Sequence, residues 1–124
     1  MMSVRRILAA LTVAAAAATT GTVLYAAPAA AQPCPEGKLC LWVDPDAGGR
    51  ALTLGAGQNI AGLEQPYFQN VNSLFNNTDQ NVCFYTDPDF TGDSVGVAGH
   101  QFIGDTETEL PIGSNISSVR WETC

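Results

Sequence analysis

Four cysteines and a single histidine carry the most reactive side chains in this sequence. The cysteines are Cys34, Cys40, Cys83 and Cys124, and the histidine is His100. No two cysteines have the CxxC spacing typical of a zinc site, and one histidine adds little to the possible ligands. Because the chain begins with an export signal, described below, the cysteines are expected to pair. The sequence therefore predicts two disulfides rather than a metal site, with three pairings open.

Enzymatic chemistry finds little support in the other polar residues. A nucleophilic triad needs a base, but His100 follows a glycine in a predicted turn, with no Ser or Cys nucleophile elbow near it. The twelve carboxylates are scattered over predicted turns, and no spacing singles out two of them as a glycosidase pair. We therefore expect a protein that is not an enzyme, in which His100 is a turn residue.

The first 31 residues are typical of a bacterial export signal. A short basic start is followed by an apolar, Ala-rich run, and Ala29-Ala30-Ala31 supplies the small residues that signal peptidase requires before Gln32. A retained membrane anchor is the alternative, but Thr and Gly residues interrupt the apolar run and no basic stop-transfer cluster follows. We predict a signal peptide over 1–31 and a secreted, extracellular domain over 32–124.

The predicted mature domain is strongly acidic. Lys38, Arg50 and Arg120 stand against twelve acidic residues, which gives a formal charge of three minus twelve, or −9. Such a charge disfavours nucleic acids as partners, and also anionic membranes once the leader is cleaved. Solubility outside the cell is the simplest explanation of the charge. The domain is small enough to bury only a modest core, so the two disulfides would reinforce it.

An internal repeat organises this domain. Residues 40–49, CLWVDPDAGG, return as residues 83–92, CFYTDPDFTG. Each copy has an aromatic residue at the end of an apolar run, then Asp-Pro-Asp, then a Gly seven residues after the aromatic. This order predicts a strand that enters a tight turn. Alternating strands follow at 51–54 and 94–97, and closing strands at 71–75 and 116–120.

The second copy resembles the Greek-key motif of the βγ-crystallins. Tyr85, Phe90 and Gly92 have the spacing of that motif, and residues 115–120, NISSVR, follow as its closing strand. In the first copy Trp42 and Gly49 fit the motif, while an alanine at position 47 stands where the second aromatic residue belongs.

The opening of the domain narrows the resemblance. Residues 34–42, CPEGKLCLW, are similar to the start of secreted bacterial peptidase inhibitors of the Streptomyces metalloproteinase inhibitor family, which share this fold. The resemblance implies an all-β, βγ-crystallin-like Greek-key β-sandwich made of two tandem motifs. Motif one would span about 40–78 and motif two about 83–124.

The same resemblance implies how the cysteines pair. In the Greek key that motif two resembles, the first and last strands are antiparallel neighbours. This favours Cys83 with Cys124 and, with it, Cys34 with Cys40.

Many βγ-crystallins bind calcium between their motifs, so the resemblance also implies candidate ligands. The family pattern has two Asn or Asp residues, two variable residues, and then Ser or Thr and Ser, with a backbone carbonyl from the Asp-rich hairpin of the other motif. The paired acid or amide positions are replaced here by Gly113 and Ser114 in motif two and by Phe68 and Gln69 in motif one. The candidates that remain are Asp44, Asn72, Asp87 and Ser117, with Ser118 beside them. Because calcium takes six to eight oxygen ligands, we expect weak or absent binding and no required cofactor.

The long connections 55–70 and 98–113 are the predicted binding surfaces, because loops are free to project and vary. Tyr67 and Phe68 in the first of them either cap the edge of the sandwich or face a partner. We expect a monomeric inhibitor that occupies the cleft of an extracellular protease, by the resemblance a metalloprotease, with one rigid loop. The sequence does not name that loop. The alternatives are a calcium-binding structural or stress protein and a secreted antimicrobial binding module.

Overall fold

The computed structural model describes residues 33–124. The predicted signal peptide over 1–31 lies outside the described residues, as does Gln32. The elements of the described part are β1 (Lys38–Asp44), β2 (Gly48–Gly55), β3 (Ser73–Asn77), β4 (Val82–Asp87), β5 (Thr91–Val97), β6 (Gln101–Ile103), the single-turn helix α1 (Thr106–Glu109) and β7 (Ser118–Arg120). No helix in this part of the chain has the length and hydropathy needed to cross a membrane.

Two antiparallel sheets form the domain. One has the strand order β2-β1-β3-β6 and the other the order β5-β4-β7. Motif two thus lends β6 to the sheet of motif one. The corresponding segment of motif one reaches the second sheet only at Ile60, which exchanges two backbone hydrogen bonds of 2.9 Å with Val119. This exchange of segments joins the motifs into one sandwich and confirms the all-β, Greek-key prediction.

The strand alternation sends one face of each sheet into a shared core. Leu54 of β2 and Val97 of β5, which occupy matching positions in the repeat, are both buried. Phe84 of β4 and Leu41 of β1 lie in the same cluster, where neither side chain is exposed. The period-2 pattern of the sequence therefore identifies the inward face correctly.

A second, smaller cluster lies on the outer face of the first sheet. Trp42 is 1% exposed there and packs with Cys40 and Ala47, while Cys34 and Phe75 are partly buried against them. The disulfide between Cys34 and Cys40 belongs to this cluster, and a second disulfide joins Cys83 to Cys124. These are the pairs that the resemblance implies.

Two side chains at the ends of the closing strands, Asn76 in β3 and Trp121 just after β7, connect the motifs through hydrogen bonds. Asn76 is fully buried, and its Nδ2 donates to the carbonyls of Gln80 and Ala98 at 2.8 and 3.1 Å. Trp121, at the matching position of the repeat, donates from Nε1 to the carbonyl of Gln58 at 2.9 Å. Each motif thereby holds the turn that ends the second strand of the other.

Candidate functional site

The two Asp-Pro-Asp hairpins have the same backbone conformation. Two successive residues adopt positive φ in each, Asp46 and Ala47 in motif one and Asp89 and Phe90 in motif two, with φ between 56° and 60°. Non-glycine residues adopt this region rarely, so the surrounding contacts must hold it. The turn of motif one therefore has the same unusual backbone conformation as that of motif two, although it lacks the second aromatic residue.

One serine in each motif holds the hairpin in place. Ser73 Oγ donates to the Asp44 carbonyl at 2.6 Å and accepts from the Ala47 N–H at 2.9 Å. Ser118 makes the corresponding bonds in motif two, at 2.7 and 3.0 Å. Both serines are fully buried, so these bonds satisfy groups that would otherwise be left without partners.

Glycine is required behind each hairpin. Gly49 and Gly92 have φ of +75° and +84°, and a Cβ atom added there would lie within 2.7 Å of an Asp side-chain oxygen, that of Asp44 or Asp87 respectively. Any larger residue would both strain the backbone and displace the carboxylate. These two positions of the sequence motif are therefore structural.

The calcium candidates fall into two sets, one beside each hairpin: Asp44 with Asn72, and Asp87 with Ser117. Asn72 Nδ2 donates to the Val43 carbonyl and Ser117 Oγ to the Thr86 carbonyl, at 2.7 Å in both cases. Among residues 33–124, no three His, Cys, Asp or Glu side chains converge as a metal site requires. The Asn72 and Ser117 side chains thus each bond a backbone carbonyl in the strand that leads into a hairpin.

The first long connection contains a compact turn segment, residues 61–70. Its two ends are fixed to motif two, because Leu63 N–H donates to the Ser117 carbonyl and Gln69 N–H to the Ile116 carbonyl, at 2.8 Å in both cases. The Leu63 side chain is buried in the core. The segment is thus anchored by backbone and side chain at once.

Hydrogen bonds within the turn segment fold it back on itself. Tyr67 N–H donates to the Glu64 carbonyl at 2.8 Å, and Asn70 N–H donates to the Tyr67 carbonyl at 3.0 Å. The Gln65–Pro66 peptide bond is cis. Glu64 and Gln65 are exposed at the tip, whereas Tyr67 is half-buried against the core.

A cavity of about 230 Å³ lies between the turn segment and β2. It is lined by Leu52, Ile60, Gly62, Leu63, Glu64, Gln65 and Tyr67. Tyr67 therefore packs against the edge of the sandwich, the first of the two roles considered for it, and also lines this cavity. Phe68 is half-buried against the core but does not line this cavity.

The second long connection is committed to contacts inside the domain. Thr106 is fully buried, and its N–H and Oγ1 donate to the carbonyls of Asn72 and Val71 at 3.0 and 2.8 Å. Asp105 caps the start of α1 by accepting from the Glu107 N–H at 3.0 Å. This loop contributes a helix turn and the strand β6 to the fold, so less of it is free.

The charge of the second connection is concentrated on its surface. The exposed Glu107 carboxylate accepts from the Ser114 N–H at 2.7 Å. Hydrogen bonds from the side chain and backbone of Ser114 lower the pKa of Glu107 below its ordinary value. The carboxylate is consequently ionised at neutral pH and adds to the negative field around this loop.

An aromatic corner in motif two occupies the place that Trp42 fills in motif one. The Tyr85 and Phe90 rings meet edge to face with centroids 6.0 Å apart, and the Arg120 guanidinium lies 4.9 Å from the Phe90 ring centre. Tyr85 Oη donates to the Glu122 carboxylate. This hydrogen bond, followed by burial and the negative charge of Glu122, raises the pKa of Tyr85 above its ordinary value.

His100 lies at the opposite end of the sandwich from the hairpins. It adopts a φ of +63°, and its Nε2 lies 2.7 Å from Asp79 Oδ1. Both side chains are more than half exposed and line a groove of about 340 Å³ together with Glu36 and Asn77. Its position in a turn is the one expected from the sequence.

Sequence reasoning missed the residues that anchor the two long connections. Leu63 lies in an irregular stretch, so no periodic pattern singles it out as a core residue. Thr106 is likewise buried inside an acidic run that reads as exposed loop. In both cases the anchoring bond goes to a carbonyl of the other motif, and a signal for this contact would have required the spatial pairing of the closing strands.

Comparison with known structures gives the same fold. The chain is similar to a βγ-crystallin from Ciona intestinalis, with 20% identity and a TM-score of 0.60 over 69% of this chain and 100% of that one. A βγ-crystallin from an archaeon shows 15% identity and a TM-score of 0.59, covering 71% of this chain and all of the other. A βγ-crystallin domain from Clostridium beijerinckii shows 20% identity and a TM-score of 0.55, covering 69% and 99%.

At the level of sequence, no curated protein matches the chain. The family model for peptidase inhibitor family I36 matches residues 27–97, which is more than half of the 124 residues. This match covers motif one, the turn segment and the first strands of motif two, and it confirms the resemblance to the Streptomyces metalloproteinase inhibitor family. The chain belongs to peptidase inhibitor family I36 and has the βγ-crystallin fold.

Proposed function

We propose that this chain is a secreted inhibitor of an extracellular metalloprotease and that it blocks the protease cleft with a rigid loop. The observation that carries the proposal is the match of an inhibitor family to residues 27–97. Membership of an inhibitor family also argues for a role without catalysis. The protease class is taken from the resemblance of residues 34–42, and the mechanism from the geometry of the connections.

Rigidity supports a mechanism of cleft occupancy. Binding costs free energy for every flexible side chain and loop that becomes ordered, about 0.5–1.5 kcal/mol per side chain. The turn segment 61–70 is already held by two backbone hydrogen bonds to motif two and by the buried Leu63. A loop of this kind enters a cleft with little further ordering.

Charge supports a particular kind of target. The described residues hold three basic and twelve acidic side chains, so the domain would repel a protease with an acidic cleft. A protease with a basic rim would instead be steered toward it, with an association rate that falls as salt is added. Two disulfides are compatible with export from a bacterial cell, and we propose that the secreted form is a monomer.

The test is inhibition by the purified domain 32–124 with both disulfides formed. A panel of thermolysin-like metalloproteases and serine proteases is titrated with it at nanomolar to micromolar concentrations. We expect stoichiometric loss of metalloprotease activity. If neither class loses activity at micromolar inhibitor, the proposed function is wrong, and the fold assignment alone stands.

We also propose that calcium binds weakly, because the acid and amide positions of the family pattern are replaced and the remaining hydroxyls bond backbone carbonyls. Isothermal calorimetry of the same domain tests this. A dissociation constant near millimolar or above is expected. A micromolar constant would favour a calcium-binding structural role instead.

A further inference from the structure

We propose that the turn segment 61–70 is the part of this chain that contacts the protease. The cavity beneath it receives one apolar side chain from the rim of the protease cleft. The inference rests on the proposed function, since it names the docking surface of the same inhibitor.

The cavity lies where the two motifs exchange unequal segments. Motif two lends a paired strand, and its Ile103 is buried opposite Leu74. Motif one lends a single bridge at Ile60, after which the chain continues into the turn segment, whose Leu63 N–H donates to the Ser117 carbonyl at 2.8 Å. Beside this bridge, a space remains open between the turn segment and Leu52 on β2.

The size of the cavity favours a side chain over a small ligand. Pockets that bind small molecules and cofactors usually measure about 300–1,000 Å³. The present cavity, at about 230 Å³, falls below that range and has the volume of one large side chain. Its apolar walls are Leu52, Ile60, Leu63 and Tyr67.

The charge at the cavity indicates which kind of partner residue should lie next to that apolar side chain. Glu64 is the one charged residue of the lining, and it is exposed. An aliphatic or aromatic side chain entering from a partner would therefore be best accompanied by a lysine or arginine near Glu64. The partner surface that fits this cavity is therefore an apolar side chain next to basic residues on the rim of the protease cleft.

The other connection offers less. Its Thr106 is buried in bonds to motif one, and Glu107 is engaged with Ser114. The exposed Phe102 of β6 already packs edge to face on Phe75, with ring centroids 6.0 Å apart. That connection therefore supplies a control position, Phe102, rather than the docking surface.

The first experiment adds a large side chain at the lining of the cavity without touching the core. A Cβ atom added at Gly62 meets no atom within 4 Å, so Gly62→Leu projects a side chain into open space. We expect its inhibition constant against a protease inhibited by the wild type to rise at least roughly tenfold. The matched control is Ala51→Leu, which adds a leucine at an exposed position on the outer face of β2, the strand whose Leu52 lines the cavity. This control should change the inhibition constant by less than about twofold.

The second experiment reverses the charge beside the cavity. Glu64→Lys should slow association and raise the inhibition constant roughly tenfold, whereas Asp93→Lys makes the same change of charge on β5 of the other sheet. Equal effects of the two variants would mean that only net charge matters, which contradicts the proposed local contact.

Measurements of folding, inhibition and oligomeric state together decide between the outcomes. Far- and near-ultraviolet circular dichroism identify any variant that has not folded, and Phe102→Ala reports on the other connection. If the wild type inhibits a protease while Gly62→Leu and Glu64→Lys inhibit it equally well, the docking surface is wrong and the proposed function survives. If the wild type inhibits no protease, both fall. The other possible occupant of the cavity is a second copy of this chain, which sedimentation without protease tests. A wild-type dimer that Gly62→Leu converts to monomer would assign the cavity to that second copy and overturn the inference.

Discussion

The two hairpins share a backbone path but differ in what packs beneath them. In motif two Phe90 lies on Tyr85 and under Arg120, and all three side chains remain partly exposed or exposed. In motif one the matching residue is Ala47, and the larger ring of Trp42 is buried beneath it. The same turn is thus built once from two small aromatic rings and once from a single indole.

This difference indicates which parts of the motif set the turn. Both hairpins keep the glycine behind the turn and the buried serine that bonds across it. The second aromatic residue is absent from one of them without any change in φ. The backbone conformation therefore depends on glycine and serine, while the aromatic residues fill volume.

The largest difference that we expect between the two motifs is the contribution of their disulfides to stability. Replacing Cys83 and Cys124 by Ala opens a closed loop with a sequence separation of 41, whereas Cys34 and Cys40 are separated by 6. Loop entropy predicts losses of about 4 and about 2 kcal/mol of unfolding free energy, respectively. Urea titrations of the two double variants measure both values. An equal loss from the two pairs would contradict the entropic account.

The buried amide that joins the motifs should rank next. Asn76→Ala removes a fully buried amide that donates to the carbonyls of Gln80 and Ala98, so we expect a loss of about 3 kcal/mol. Trp121→Phe removes one hydrogen bond at a half-exposed position and should lose about 1 kcal/mol. The exposed Asn115→Ala is the control, with a change under about 0.5 kcal/mol. If Asn76→Ala is as mild as the control, the amide does not connect the motifs.

Exchanging the residues under the turns sharpens the comparison further. Phe90→Ala should lose about 1–2 kcal/mol, because it removes the contacts with Tyr85 and Arg120. Ala47→Phe restores the family pattern in motif one, yet it should also destabilise by about 1–3 kcal/mol, because Trp42 already fills the space. Thermal unfolding of both variants tests this. A stabilised Ala47→Phe variant would show that room remains above the indole.

Much of this fold followed from local features of the sequence. The Asp-Pro-Asp turns, the later glycines and the alternation of Leu52 with Leu54 are short-range signals, and their structural effects are short-range too. The contribution of Trp42 could not be predicted in the same way, since the burial of an outward-facing ring depends on how the hairpin folds over it.

The candidate docking surface was harder to foresee for a physical reason. Its walls come from β2, the Ile60 bridge and the turn segment, which lie close together in the sequence but enclose a space only in the folded domain. Sequence placed a binding surface within 55–70 by default, as it did within 98–113. The difference between these two connections appears only in the structure, where β6 pairs with β3 as a strand and Ile60 forms a single bridge.

The smallest predicted effect separates the two aromatic corners by pH. Tyr85 can ionise and Trp42 cannot, and the hydrogen bond to Glu122 raises the pKa of Tyr85 above the ordinary value of 10.0. Because the folded-state pKa is raised, the stabilisation is fully present below pH 10 and is lost as pH rises through the folded pKa. Unfolding free energy should therefore fall above pH 10 in the wild type and fall less in Tyr85→Phe.

Ultraviolet absorbance of the phenolate near 295 nm measures the ionisation directly. The measurement is made on Tyr67→Phe, which leaves Tyr85 as the remaining phenol of residues 32–124. Glu122→Gln keeps a side chain of the same size but removes the acceptor charge, so the pKa of Tyr85 should move back toward 10. A pKa of Tyr85 at or below 10 in Tyr67→Phe would contradict the hydrogen bond to Glu122. The corner of motif two would then be held by ring packing alone, as the corner of motif one is.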